Sequence, residues 1–343
     1  MTSQSQSTSV LLTNKPTVMN KSLAIFHALI GLCSFLASAT IRAEDFPAYR
    51  SELNIVYGHV DGKDLKLNVF LPVDAKEPVP AIVEIHGGWW YGGDYAFSPQ
   101  GVGGWQHFMR DRIAIFSIQY RLGDSGGFPQ NIRDCRNAIR FIRQNAKRFN
   151  IDSNRIDVTG GSAGGHLSLM VAMVPEDFDD GGALPGLEGV SAKVSGSFSY
   201  APPTDFVRFW NQGPSDIVTN ADGKISFRGP DDKIPYDSRP RLRALFHGVT
   251  PDTTEHMTLY TNLSPIGHVS KDVPPLLICD GEKDPIVPGL HGKVLSEKLK
   301  AVGVDATYWM TPNGGHTFPG GPGFDDVLEN FLKRSLKLTP VNP

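Results

Sequence analysis

Residues 158–167 read VTGGSAGGHL, one serine among four glycines directly after a short apolar run. Glycine costs backbone entropy unless an unusual φ/ψ or a close backbone approach requires it. The stretch is therefore read as a turn built to present Ser162. Gly160-Gly161-Ser162-Ala163-Gly164 fits G-x-S-x-G, with the strand-like RIDVTG before it and the helix-like LSLMVAM after it. A hydroxyl held in this way suits nucleophilic acyl transfer, provided that a base takes its proton, an acid orients the base and N–H donors receive the oxyanion. No Lys-Ser/Thr pair follows the glycines, which argues against a phosphate loop.

Each of those partners has a candidate. In TPNGGHTF, His316 follows a strand-like run in a glycine-loosened loop, where an imidazole can reach over a sheet edge. Of the ten histidines, His27 falls in the N-terminal lead and His166 lies one turn past Ser162. For the orienting acid, LICDGEKDPIVP offers Asp280, Glu282 and Asp284; Asp284 is preferred because Asp280 is close enough to the strand end to be structural. The order Ser162, Asp284, His316 is the one expected of α/β-hydrolases. Upstream, IHGGWWYGGD (85–94) supplies close-approach glycines, so the N–H groups of Gly88 and Trp89, with that of Ala163 at the helix start, are the expected oxyanion donors. His86 is expected to hold that loop in place. Trp89, Trp90 and Tyr91 are the candidate substrate-binding side chains. Trp105, Phe209 and Trp210 could extend an aromatic cleft, although aromatics such as Trp90 and Trp105 are equally ordinary core material. The run DFDDGGALPGLE (177–188) partly fits a calcium loop, but Pro185 and the lack of flanking helix patterns count against it, and no metal or cofactor is expected.

The elements that must position these residues follow from periodicity. LNIVYGHVDGKDLKLNVFLP reads as two alternating strands around an Asp61-Gly62 turn. Further strands are expected at AIVEIH, IAIFSIQY, RIDVTG, KVSGSFSY, PLLICD and DATYWM. Between them, FPQNIRDCRNAIRFIRQNAKRF carries Ile132, Cys135, Ile139, Ile142 and Ala146 on one helical face, and GLHGKVLSEKLKAVG and FDDVLENFLKRSL repeat the pattern. Strand and helix in alternation imply an α/β fold, a mostly parallel sheet covered on both faces. The stretch 174–270 breaks the rhythm and is expected to include a lid or cap inserted after the sixth strand. The basic stripe Arg133, Arg136, Arg140, Arg143, Lys147 is read as a solvated helix face.

The 343 residues carry 33 basic and 36 acidic side chains, a net charge of -3 that argues for neither nucleic acid nor an anionic membrane as partner. Residues 1–43 read as a lead and export signal: Lys15 and Lys21 precede an apolar run over 23–36, then cleavage sites at ASA (37–39) or IRA ending at Ala43. That run is too short to span a bilayer comfortably, so no stable membrane insertion is expected after processing. Met1 and Met19 are alternative starts. The expected mature chain, about 44–343, would be periplasmic or secreted. Only Cys135 and Cys279 would remain in it, too few for a disulfide framework.

HGGWW, GGSAGGHL, LICDGEKDPIVP and GGHTF together resemble the α/β-hydrolase superfamily, and within it the hormone-sensitive-lipase-like and BD-FAE (bacterial feruloyl esterase-like) esterases. The similarity runs from about 50 to 335. It implies a metal-independent serine carboxylesterase acting on short-chain or carbohydrate-linked acetyl or feruloyl esters, with Ser162, Asp284 and His316 at the triad positions and Gly88, Trp89 and Ala163 as oxyanion donors. Trp89 departs from the small residue usual in that loop, and Glu282 and Asp280 depart from the usual H-G-D-x-D. Two other readings are a prolyl-oligopeptidase-like peptidase, for which only about 40 residues precede the hydrolase strands, and a non-catalytic binding protein, in which triad residues are commonly lost.

Overall fold

A computed structural model describes residues 48–96, 106–178, 182–212, 218–219, 225–226, 239–316 and 319–338. All belong to the unit Ala43–Pro343; the lead with the expected export signal lies outside the described residues, as does Trp105. The chain enters through β1 (Tyr49–Val60) and β2 (Lys63–Pro72), an antiparallel hairpin whose turn places Asp61 at φ 51° and Gly62 at φ 73°. Both central residues being left-handed is what the strand twist requires of a two-residue turn. β3 (Val79–Ile85), β4 (Ala114–Ile118), β5 (Ile151–Gly161), β6 (Gly196–Tyr200), β9 (Leu276–Gly281) and β10 (Ala306–Thr311) complete an eight-stranded sheet ordered β1-β2-β4-β3-β5-β6-β9-β10. Every pairing beyond β2·β4 is parallel. β7 (Val218–Thr219) and β8 (Ile225–Ser226) form a separate hairpin.

Strand alternation decides which helix covers which face. In β3, Ala81, Val83 and Ile85 pack with Ile132, Cys135, Ile139 and Ile142 of α2 (Gln130–Gln144) and with Leu167 and Met170 of α4 (Ala163–Met173). Ile82 faces the other way, with Phe198, Leu277 and Cys279, toward Phe108 of α1 (Gln106–Arg110) and Leu328, Phe331 and Leu332 of α9 (Phe324–Ser335). α3 (Ala146–Phe149) leads into β5, and α8 (Leu290–Ala301) covers Leu276 and Ile278 of β9. All seven residues of β3 are buried, as expected of a central parallel strand. This is the α/β-hydrolase fold. Cys135 and Cys279 are free and lie on opposite faces of the sheet.

One expectation needs correction. The basic stripe on α2 is not a solvated face: Arg136 and Arg140 are 1% and 5% exposed. The excursion between α4 and β6 folds over them, with Arg136 donating to Glu176 O (3.1 Å), Arg140 to Val190 O (3.1 Å) and Arg143 to the carbonyls of Ser191 and Lys193. An irregular segment has carbonyls without ladder partners, and guanidinium forks satisfy them. Within the stretch 174–270, β6 separates a first part from a second that follows this sixth strand. The second part carries α5 (Phe206–Gln212), α6 (Arg239–Leu245) and α7 (Thr254–Asn262). This part is fastened to the hydrolase body by Phe128 N–H to Leu245 O (3.0 Å) and by the His166 ring to Leu263 O (2.9 Å).

Two buried carboxyls bear on stability. Glu84 on β3 accepts from Ser117 Oγ (2.8 Å) and Asp157 on β5 accepts from Ser335 Oγ (2.5 Å), yet among the described residues no cation pairs with either, and burial pushes both up to about 7. A carboxyl whose folded value is raised favours the protonated native state, so its stabilising effect is lost as pH rises from the unfolded value near 4.5 through about 7. For Glu84 the loss is on the order of 3 kcal/mol. Glu84→Gln, which keeps the shape and removes the charge, is expected to flatten the fall in Tm between pH 5 and 8 measured by calorimetry; an unchanged slope would remove Glu84 from this role.

Candidate active site

The parallel strands β3, β5, β6, β9 and β10 all end at the same edge of the sheet, and every candidate residue leaves from one of these ends. Ser162 follows β5 at φ 57°, ψ -121° and heads α4, yet its side chain makes no capping bond to that helix. A serine at a helix start ordinarily spends its hydroxyl on the free N–H groups. Here the strained backbone turns the hydroxyl away. A non-glycine residue held in so sparsely populated a region costs about 1–3 kcal/mol and persists only where its surroundings impose it. Tyr200 O receives the Ser162 N–H at 2.9 Å. Gly160 and Gly164 are required by the same turn, since a Cβ on Gly164 would stand 1.9 Å from Ile85 O.

Asp284 and His316 leave from β9 and β10 and meet, His316 Nδ1 lying 2.7 Å from Asp284 Oδ2. The other carboxylate oxygen accepts the backbone N–H groups of Ile286 (2.8 Å) and Val287 (3.0 Å), which fix its plane. The two loops are locked together: Lys283 N–H donates to Gly314 O (2.7 Å), and Asn313 N–H to the Glu282 carboxylate (2.7 Å). Three histidine–carboxylate pairs occur among the described residues. In His59–Asp64 and His256–Asp252 the carboxylates are 45% and 66% exposed, whereas the Asp284 side chain is fully buried. Only the last can hold a ring against competition from water. Burial holds His166 and His291 down to about 3 and lowers His86 as well, so these rings stay neutral within the core. No hydrogen bond joins Ser162 Oγ to the His316 ring among the described residues; such contacts often tighten only when substrate is bound.

Asp280 sits at the end of β9, buried, with Tyr308 and the backbone of Gly292 as its polar neighbours. Burial pushes it well above the usual carboxylate range, and Gly292 of α8 packs so closely that a Cβ there would lie 2.2 Å from its Oδ2. It is a core group facing α8, not a partner of His316.

The loop after β3 comes alongside Ser162, since a Cβ on Gly87 would lie 3.5 Å from that of Ser162. Gly88, at φ 116°, accepts the N–H groups of Tyr91 (3.1 Å) and Gly92 (3.0 Å) on its carbonyl, leaving this part of the chain curled over the edge. Trp89 and Trp90 follow at φ 58° and φ 60°, two consecutive aromatic residues in the left-handed region. As expected, His86 braces the loop: it is 7% exposed, stacks on Tyr120 at 4.4 Å and has its carbonyl bonded by Tyr120 Oη at 2.9 Å.

The second left-handed residue turns its side chain inward, so Trp90 does not line a cleft. It is 1% exposed, packed edge-on against Phe128 (5.6 Å), His166 (5.3 Å) and Phe206 (5.5 Å). Its expected place among substrate-binding residues is corrected to the core. Trp89 and Tyr91 stay half-buried, Trp89 stacked on Phe209 at 5.9 Å and Tyr91 against Gly123.

The BD-FAE family model matches residues 67–299, more than half of the chain. The protein belongs to the BD-FAE family. Two curated relatives are Esterase LipC of Mycobacterium tuberculosis, 28% identical over 71% of this chain and 54% of its own, and Carboxylesterase NlhH of the same organism, 27% identical over 80% and 77%. The chain spans about half the length of the first three curated relatives it matches. Among solved structures, a truncated carbohydrate esterase from gut microbiota superposes with TM-score 0.63 at 24% identity, covering 84% of this chain and 99% of that one. Est2 of Thermogutta terrifontis does so with TM-score 0.61 at 24% identity, over 87% and 96%. At that identity the likeness is one of fold. For this BD-FAE member, sequence reasoning missed Phe206, which touches Trp90, and Tyr120, which carries His86. Tyr120 sits in no motif; Phe206 ends YAPPTDF, a stretch that shares the family resemblance, and its spacing from Phe209 in DFVRFW, one helical turn, was a further signal.

Proposed function

We propose that this BD-FAE protein is a serine carboxylesterase acting on short-chain or carbohydrate-linked acetyl or feruloyl esters through an acyl-enzyme. The observation that carries this reading is the 2.7 Å Asp284–His316 pair at the strand edge from which Ser162 projects. Ser162 Oγ attacks the ester carbonyl while His316 takes its proton, and the carbonyl electron pair moves onto the oxygen, facing the N–H groups of Gly88, Trp89 and Ala163. The intermediate collapses, His316 returns the proton to the departing alcohol oxygen, and water repeats the sequence to free the acid. Asp284 accepts from the ring at Nδ1 and holds its orientation. The relatives named as esterases support the reaction class, and the structural neighbour that is a carbohydrate esterase supports the substrate class. Hydrolysis of p-nitrophenyl acetate, acetylated xylan and methyl ferulate tests it; absence of turnover on all ester substrates would overturn it.

Trp89 sets the acyl size in this reading. Its indole stands beside the oxyanion donors, where a small residue would leave room, and tight packing makes that volume hard to share. The expected kcat/KM order for p-nitrophenyl esters is C2 and C4 above C8 and C12, with discrimination of roughly 10- to 200-fold. Trp89→Gly, which also suits the φ of 58°, should flatten the profile when each series is normalised to acetate. A wild-type optimum at C8 or longer, or an unchanged profile in the variant, would contradict it.

A further inference from the structure

We propose that Phe206 and Phe209 of α5 are positioning residues for the oxyanion loop, acting through Trp90 and Trp89; this rests on the serine esterase reading above. An N–H group kept for an oxyanion cannot also brace its own loop, so something else must hold the strained pair at φ 58° and φ 60°. The two tryptophan side chains provide that hold, and both end on one helix. Trp89 lies nearly parallel to Phe209, with 13° between the planes, and Trp90 meets Phe206 edge-on. Phe206 and Phe209, three apart, share a face of α5, and both are fully buried.

The helix itself is anchored from below. Phe206 N–H donates to the buried Ser264 Oγ (2.9 Å), Ile266 N–H to Thr204 O (3.0 Å) and Thr204 Oγ1 to His291 O (2.8 Å). A rigid seat, two aromatic contacts and two strained residues thus connect the second part of the insertion to the donors beside Ser162. Arg241 of α6, with its guanidinium 5.8 Å from the Trp89 ring centroid, adds a second contact from the same insertion. With acetate, an acyl group small enough that indole position does not limit it, the loss of these contacts should fall on the transition state.

The test compares Phe209→Ala, Phe209→Leu and Phe209→Tyr with wild type. Each is assayed with p-nitrophenyl acetate and with a short alkyl trifluoromethyl ketone. Addition of Ser162 Oγ to the ketone carbonyl passes the serine proton to His316 and puts a negative oxygen where the oxyanion forms. Phe209→Ala is expected to lower kcat by about 10- to 100-fold, less than deleting a donor outright, with KM within about threefold. Ketone affinity should fall by a factor that tracks kcat, and Phe209→Tyr should restore both. Should the alanine variant not fold, Phe209→Leu, which keeps the burial and loses the stack, is expected to show the same split. A folded Ala or Leu variant with wild-type kcat, or with KM and ketone affinity weakened equally, would overturn the inference. A wild type that neither hydrolyses the ester nor binds the ketone would overturn the esterase reading, and the inference with it.

Discussion

Ser162→Ala is expected to lower kcat on p-nitrophenyl acetate by about 10⁶-fold, the scale on which loss of a serine nucleophile acts in enzymes whose triad works as a unit. The fold should survive. Ser162 makes no capping bond to α4, so no helix end is left unsatisfied when the hydroxyl goes. Alanine keeps the left-handed backbone strain that the turn already bears. A variant that retains wild-type kcat would place the nucleophile elsewhere. One that loses activity together with its thermal transition would leave the loss to unfolding, so Tm is measured beside kcat.

The second large effect separates the two aspartates. Asp284→Asn keeps the shape and the two backbone bonds from Ile286 and Val287, but its amide can offer His316 Nδ1 a donor where a carboxylate was an acceptor. The ring then settles in the wrong tautomer, and kcat is expected to fall by about 10⁴-fold. Asp280→Asn should leave kcat within about tenfold, because that carboxyl is buried, held above the usual carboxylate range and faces Gly292 instead of His316. If Asp280→Asn proved the more damaging change at equal Tm, the acid would have been misassigned.

Most of this site is legible from spacing because local chemistry dictates it. The G-x-S-x-G turn demands glycine where Ile85 O and Tyr200 crowd the backbone, and the strand periodicity places β5, β9 and β10 so that Ser162, Asp284 and His316 leave one edge. Asp284 could be preferred over Asp280 by its distance from the strand end alone. What spacing does not carry is direction. Trp89 and Trp90 are adjacent and chemically identical, and only the left-handed backbone at both positions sends Trp90 into the core while Trp89 stays half-buried. The arginines of α2 differ from the expectation for a related reason: helical periodicity identifies a polar face but cannot show that Glu176, Val190, Ser191 and Lys193 return to cover it. The division of 174–270 by β6 was open to inspection, since KVSGSFSY is itself a strand pattern. The helices α5, α6 and α7 were not, being short pieces held by tertiary contacts such as Phe246 on Tyr260 at 3.6 Å and not by a long apolar stripe.

The most direct test of the account is covalent. Incubating the purified protein with a fluorophosphonate and locating the adduct by peptide mass spectrometry asks which side chain this fold activates. Displacement of fluoride by Ser162 Oγ, assisted by His316, is expected to add one label per chain, on the peptide containing Ser162. The label should be absent in Ser162→Ala and much slowed in Asp284→Asn. A label on any other residue, or none on a folded wild-type protein, would contradict it.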